Sequence, residues 1–101
     1  MNRLILTALI AGSVALAGTA RAAGDAAAGK AKAASCAMCH GANGEGNKMG
    51  PKIAGMNPAA FVQAMNDFKS GKRDNAMMKT QANQASPNDT ANLAAYYSTL
   101  K

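Results

Sequence analysis

Cys36-Ala37-Met38-Cys39-His40 contains both cysteines and the single histidine of this 101-residue chain. Two thiols three positions apart, followed directly by an imidazole, form the attachment pattern of a c-type haem. Each thiol can join one vinyl group of a porphyrin, so the short segment grips one edge of the ring. The next residue then lies under the iron and supplies an imidazole nitrogen as axial ligand. Other chemistries fit the pentapeptide less well. A structural zinc site needs four Cys or His ligands, and the chain has three. An iron–sulfur cluster needs about four thiolates. A dithiol redox motif belongs at a strand-to-helix turn, and no strand pattern flanks this one.

The axial position opposite His40 needs a second donor. With one histidine in the chain it cannot be another imidazole. The remaining good ligand is a Met thioether, which raises the reduction potential. Met38 lies inside the grip and cannot cross the ring. Met49 and Met56 flank Pro51, on the side assigned to His40, and Met65 falls on an apolar helix face. Met77 and Met78 lie in a stretch read as irregular between two helices, far enough along to reach the opposite face. Adjacent side chains diverge, so one of the two should meet the iron. Pro51 is the candidate for orienting His40. An axial histidine donates its second ring N–H to a neighbouring acceptor, and a proline carbonyl can serve.

The elements that must position these residues are helical. Asp25 to Ser35 is rich in Ala and Lys and begins with an acid, which predicts a short first helix ending at the haem motif. Gly29 interrupts it, as a close helix crossing would require. Gly41 to Gly50 carries four glycines (Gly41, Gly44, Gly46 and Gly50) with Asn43 and Asn47, and reads as a loop with several positive-φ positions. Asn57-Pro58 is a cap followed by proline at the first helical position. Phe61, Met65 and Phe68 then make an apolar face up to Gly71, predicting a helix over Pro58 to Ser70 whose face also walls the haem. Ser86-Pro87-Asn88-Asp89 caps a last helix, Pro87 to Leu100, with Leu93, Tyr96 and Leu100 as its core stripe. No stretch alternates at period two, so the expected fold class is all-α.

The first stretch has the marks of an export signal. Arg3 precedes an apolar run from Leu4 to Ala17, and Ala20-Arg21-Ala22 offers small residues where a signal peptidase reads. The run is short of the ~20 residues that span a bilayer. The expectation is a cleaved signal peptide over 1–22 and one monohaem domain over 23–101, exported to the periplasm with no stable membrane insertion after cleavage. Haem attachment outside the cytoplasm agrees with that. A domain this small buries little surface alone, and a haem would supply the missing apolar core. Without Arg3 and Arg21, nine basic residues stand against five acidic ones, a net charge of +4. The lysines do not cluster into a polybasic run. They suit a diffuse positive face that steers docking to acidic partners, and nothing points to nucleic acid.

The chain from Ala23 onward resembles a small bacterial class I cytochrome c of the single-domain c553 type, and is similar to each half of a dihaem cytochrome c4. The resemblance rests on Cys36-Ala37-Met38-Cys39-His40-Gly41, Gly50-Pro51-Lys52-Ile53-Ala54-Gly55, Phe68-Lys69-Ser70-Gly71-Lys72-Arg73, the Met77-Met78 pair and Leu93-Ala94-Ala95-Tyr96-Tyr97. It implies a cytochrome c fold, three to four helices wrapped around one covalently bound haem c. In such proteins the ligand methionine lies eight residues before the Ser that opens the last helix, and counting back from Ser86 reaches Met78. The resemblance also implies that the first and last helices cross through a glycine and an aromatic, here Gly29 with Tyr96 or Tyr97. The chain departs from its relatives at Ala85, where they often have Leu, and Gln81, Asn83 and Gln84 make that segment polar.

The function so implied is electron carriage, not enzymatic. Cys36 and Cys39 hold the haem, with His40 proximal to the iron, Met78 distal, and Pro51 orienting His40. The iron cycles between Fe(III) and Fe(II) during brief docking, at an exposed haem edge, to an oxidase, a reductase or another cytochrome of a respiratory chain. The alternatives are a haem subunit of a larger redox complex, or a small peroxidase or gas-binding protein with an open iron. The last would need a distal acid–base residue, and no second histidine exists.

Overall fold

A computed structural model describes residues 24–101, so the expected signal peptide lies outside the described residues. Five helical segments follow in order: α1 (Ala26–Lys32), α2 (Ala34–His40), α3 (Pro58–Ser70), α4 (Ala76–Asn83) and α5 (Pro87–Ser98). Among the described residues there is no strand, only an isolated bridge between Asn47 and Gly50, as the missing period-two pattern implies. None of the described helices is long and apolar enough to cross a membrane.

Side chains set most helix starts. Asp25 Oδ1 accepts from the N–H groups of Ala27 and Ala28 at 2.9 and 3.3 Å. Asn57 does the same for Ala59 and Ala60, with Pro58 at the first position of α3. Ser86 and Asp89 form a reciprocal capping box at α5, both bonds at 3.0 Å. Each cap satisfies N–H groups that a helix start leaves without intrahelical partners. Gly71 closes α3 in the left-handed conformation, as a glycine just past a helix end commonly does.

Two expectations are corrected. The first helix does not run from Asp25 to Ser35 and stop at the haem motif. It kinks at Ala33, whose carbonyl accepts from both Cys36 and Ala37, and resumes as α2 with the whole motif inside it. The stretch around Met77 and Met78 is not irregular. It is helical, because Asn75 Oδ1 caps it by accepting from the Met78 N–H at 2.9 Å. These two segments account for five helices where three to four were expected.

The core gathers Ala33, Phe61, Met65, Ala82, Ala85, Leu93, Ala94 and Tyr97. On α5 the most buried positions are Leu93, Ala94 and Tyr97, while Tyr96 is half-buried, as is Leu100, which lies past the helix end at Ser98 rather than on it as expected. The core stripe is therefore rotated by one residue from the one read in the sequence. The most extensive helix contact joins α1 to α5. There the hydrogen side chain of Gly29 faces Asn92 and Tyr96, so Tyr96 rather than Tyr97 is the aromatic at the crossing. Tyr97 packs inward, stacked on Phe61 with ring centroids 5.8 Å apart.

Candidate haem site

On a helix, positions i, i+3 and i+4 share one face. Cys36, Cys39 and His40 have that spacing on α2, so a helical motif turns both thiols and the imidazole the same way. Met38, off that stripe, is 76 % exposed. Both cysteines are free thiols. Burial pushes the Cys36 thiol above its ordinary pKa, so it is neutral near pH 7. The Tyr97 hydroxyl beside it is also raised, mainly by burial, and stays protonated.

The loop after α2 folds back on it. Gly46 N–H donates to the His40 carbonyl at 2.6 Å, and Asn47 Nδ2 donates to the Met38 carbonyl at 3.2 Å. Gly41, Gly44 and Gly46 adopt positive φ to make these turns. Pro51 is thereby brought to the imidazole, with His40 Nδ1 2.7 Å from the Pro51 carbonyl oxygen. A carbonyl only accepts, so in the neutral ring the proton sits on Nδ1 and Nε2 keeps a free lone pair. The ring is buried. Gly50 lines it closely, for a Cβ there would stand 3.1 Å from both Nδ1 and Cε1 of His40.

These groups open onto one cavity of about 640 Å³, within the ~300–1,000 Å³ range of cofactor and ligand pockets. All five residues singled out in the sequence (Cys36, Cys39, His40, Pro51 and Met78) line it. Phe61, Ala64, Met65 and Phe68 of α3 make an apolar wall, with Ile53 and Leu93 adding to it. Met78 is half-buried and packs against the core, whereas Met77 is 63 % exposed.

The lining fits a haem. It combines two free thiols on one helix face, an imidazole with an available Nε2, six methionine thioethers that include Met77 and Met78, and apolar walls for the ring. Its ionisable groups also suit a ring bearing two carboxylates. Lys32, Lys52 and Arg73 line the cavity, and among the described residues no Asp or Glu does. Arg73 is held over the Phe68 ring at 4.5 Å.

Sequence reasoning missed Asn75, Gly50 and Lys69. Asn75 carries a cap signature that the polar segment after it obscured. Gly50 shows its role only through its distance to the ring. Lys69 donates to the Ala85 carbonyl at 2.8 Å, sixteen residues away, which no local pattern encodes.

Residues 26–101 match the family model described as cytochrome c. The chain is 42 % identical over 102 aligned positions to cytochrome c4 of Pseudomonas aeruginosa, an alignment covering all of this chain and 50 % of that protein. It is 42 % identical over 91 positions to cytochrome c-554(547) of Halothiobacillus neapolitanus, covering 78 % of this chain and all of that protein. Among solved structures, reduced recombinant cytochrome c4 from Pseudomonas stutzeri superposes with a TM-score of 0.72 at 32 % identity, over 78 % of this chain and 47 % of that one. The chain thus spans about half the length of the cytochrome c4 relatives it matches.

Proposed function

The chain belongs to the cytochrome c family, and on that premise we propose that it is an exported electron carrier with His40/Met78 axial ligation. Its cofactor is covalently attached haem c, whose iron supplies a one-electron Fe(III)/Fe(II) couple. Cys36 and Cys39 hold the ring as thioethers. His40 is the proximal ligand through Nε2. The Pro51 carbonyl, accepting a hydrogen bond from Nδ1–H, fixes the ring plane and makes the imidazole a stronger donor. Met78 is the distal ligand, because it is the member of the pair packed against the core. Phe61, Met65 and Phe68 keep water from the ring.

The observation that carries this reading is the convergence of both thiols, the imidazole and Met78 on a single cavity. The same lining disfavours catalysis. Among the described residues it holds no carboxylate and no histidine besides His40, the side chains that most often move a proton for bound substrate. The role is to dock briefly to redox partners (an oxidase, a reductase or another cytochrome) through a small, weak interface. The place of action is the periplasm, after removal of residues 1–22.

Oxidised holoprotein should show the weak near-infrared band of Met–iron ligation, and Met78→Ala should abolish it. Retention of the band in Met78→Ala with loss in Met77→Ala would move the ligand by one residue. Rapid carbon monoxide binding to the parent protein would replace this reading with an open-iron one.

A further inference from the structure

We propose that Lys69 is a positioning residue for Met78, its ammonium tethering the C-terminal end of the methionine-bearing helix to the wall of the cavity. The proposal rests on Met78 being the distal ligand. α4 is poorly secured by its own sequence. It has eight residues, of which Ala82 alone is buried, and no basic residue in its last turn. Isolated helices of that length are marginal in water. Ala85, two residues past its end, is buried but small, so its methyl group contributes little apolar anchorage.

Two cations from elsewhere in the fold meet this end instead. Lys69 reaches from α3 and donates to the Ala85 carbonyl at 2.8 Å. Lys32 reaches from α1 and stands 3.5 Å from both the Gln84 carbonyl and the Asp89 carboxylate. Gln84 is the C-cap of α4 and Ala85 the residue beyond it, so both carbonyls lie at the negative end of the helix dipole, where cations are favourable. The shorter and more buried of the two bonds belongs to Lys69, which has no carboxylate partner among the described residues. Its neighbours on α3, Met65 and Phe68, are themselves cavity wall. Asn75 pins the start of α4 through the Met78 N–H, and Lys69 pins the turn just past its C-cap. Met78 therefore sits on a helix clamped at both ends by polar groups, in a chain whose own apolar contacts there are slight.

Cyanide binds ferric iron only when the distal ligand steps aside, so its association rate reads how firmly Met78 is held. In oxidised holoprotein, Lys69→Met keeps the aliphatic stem and removes the donor. It should raise the rate by roughly ten- to hundred-fold, the factor set by losing one charge-assisted hydrogen bond. Lys69→Arg, which restores a donor, should return the rate to within about twofold of the parent. If Lys69→Met does not fold, Lys69→Leu takes its place in the same assay. A rate within about twofold of the parent in the variant lacking the ammonium, even with lowered thermal stability, would show that Lys69 is merely structural. A near-infrared band that persists in Met78→Ala would overturn the ligand assignment itself, a failure separate from that of the tether.

Discussion

Gly29→Ala pits helix propensity against packing, and the structure decides which wins. Ala is better than Gly in a helix interior by ~0.8–1.0 kcal/mol, so a surface glycine there would be improved by the change. Gly29 is instead buried at the α1–α5 crossing. A Cβ on it would collide with the Asn92 carbonyl oxygen, and would lie 2.6 Å from the Asn92 carbonyl carbon and 2.8 Å from Tyr96 Cβ. Carbon contacts are comfortable near 3.5–4.0 Å, so the helices must part by about 1 Å. Two of the three atoms met are backbone and cannot rotate away. Overpacking of this kind costs about 1–3 kcal/mol. The shift also strains the Asp25 N–H to Asn92 Oδ1 bond of 2.8 Å that fastens the start of α1 to α5, worth about 1 kcal/mol. Net of the propensity gain, the loss is about 1–3 kcal/mol. For a domain of this size that lowers the melting temperature by about 5–20 °C. Thermal unfolding of the holoprotein, followed by far-ultraviolet circular dichroism, measures it. A melting temperature equal to or above the parent's would mean that α1 and α5 do not depend on a hydrogen side chain at their crossing.

Two further outcomes follow from the same geometry. Gly50→Ala would place a Cβ 2.6 Å from the Cys39 carbonyl oxygen and 3.1 Å from His40 Nδ1, pushing the ring from Pro51. A less basic imidazole stabilises Fe(III) less, so the reduction potential in a redox titration should rise, and an unchanged potential would refute the crowding. The Ser86 N–H held on the Asp89 carboxylate, aided by Lys32, keeps Asp89 below its ordinary pKa. A lowered folded-state pKa stabilises the fold above the unfolded carboxylate range, and that contribution disappears as pH falls through the folded value. Asp89→Asn should therefore lower the melting temperature at neutral pH, and the two proteins should converge in acid. A difference that is the same at every pH would show that the charge plays no part.

Most of the helix starts and the haem motif were legible because they are local, whereas Met78 was singled out from Met77 only through the family resemblance. Asn57-Pro58 and Ser86-Pro87-Asn88-Asp89 declare their helices through one side chain and its nearest N–H groups, and α3 spans the range read for it. The haem motif is legible for the same reason, its chemistry lying within five residues. Its helical conformation was not, since cysteine and histidine carry no strong helix preference and the continuation past Ala33 depends on a kink. α4 was missed because its stability is borrowed. Its faces show little apolar periodicity, and the Lys32 and Lys69 contacts that secure its end come from distant helices. The rotated stripe on α5 has a similar origin. Tyr96 and Tyr97 are chemically equal in sequence, and only the Gly29 crossing and the Phe61 ring determine which one turns inward.

The size of the cavity explains why so small a chain can fold at all. Side chains that line an open space of about 640 Å³ lack partner atoms on that side, and a domain this small has little other buried surface to offset the loss. The walls come from α2, α3, α4, α5 and the Pro51 loop, while the chief helix contact of α2 is with α1. The surfaces that would bind α2 to α3 and α4 thus face the cavity rather than one another. A flat apolar ring fixed through Cys36 and Cys39 supplies the missing contacts on every side. It is then the centre of the core as much as the redox group, which is why a domain with four aromatic side chains and no Trp can still enclose a buried, positioned His40.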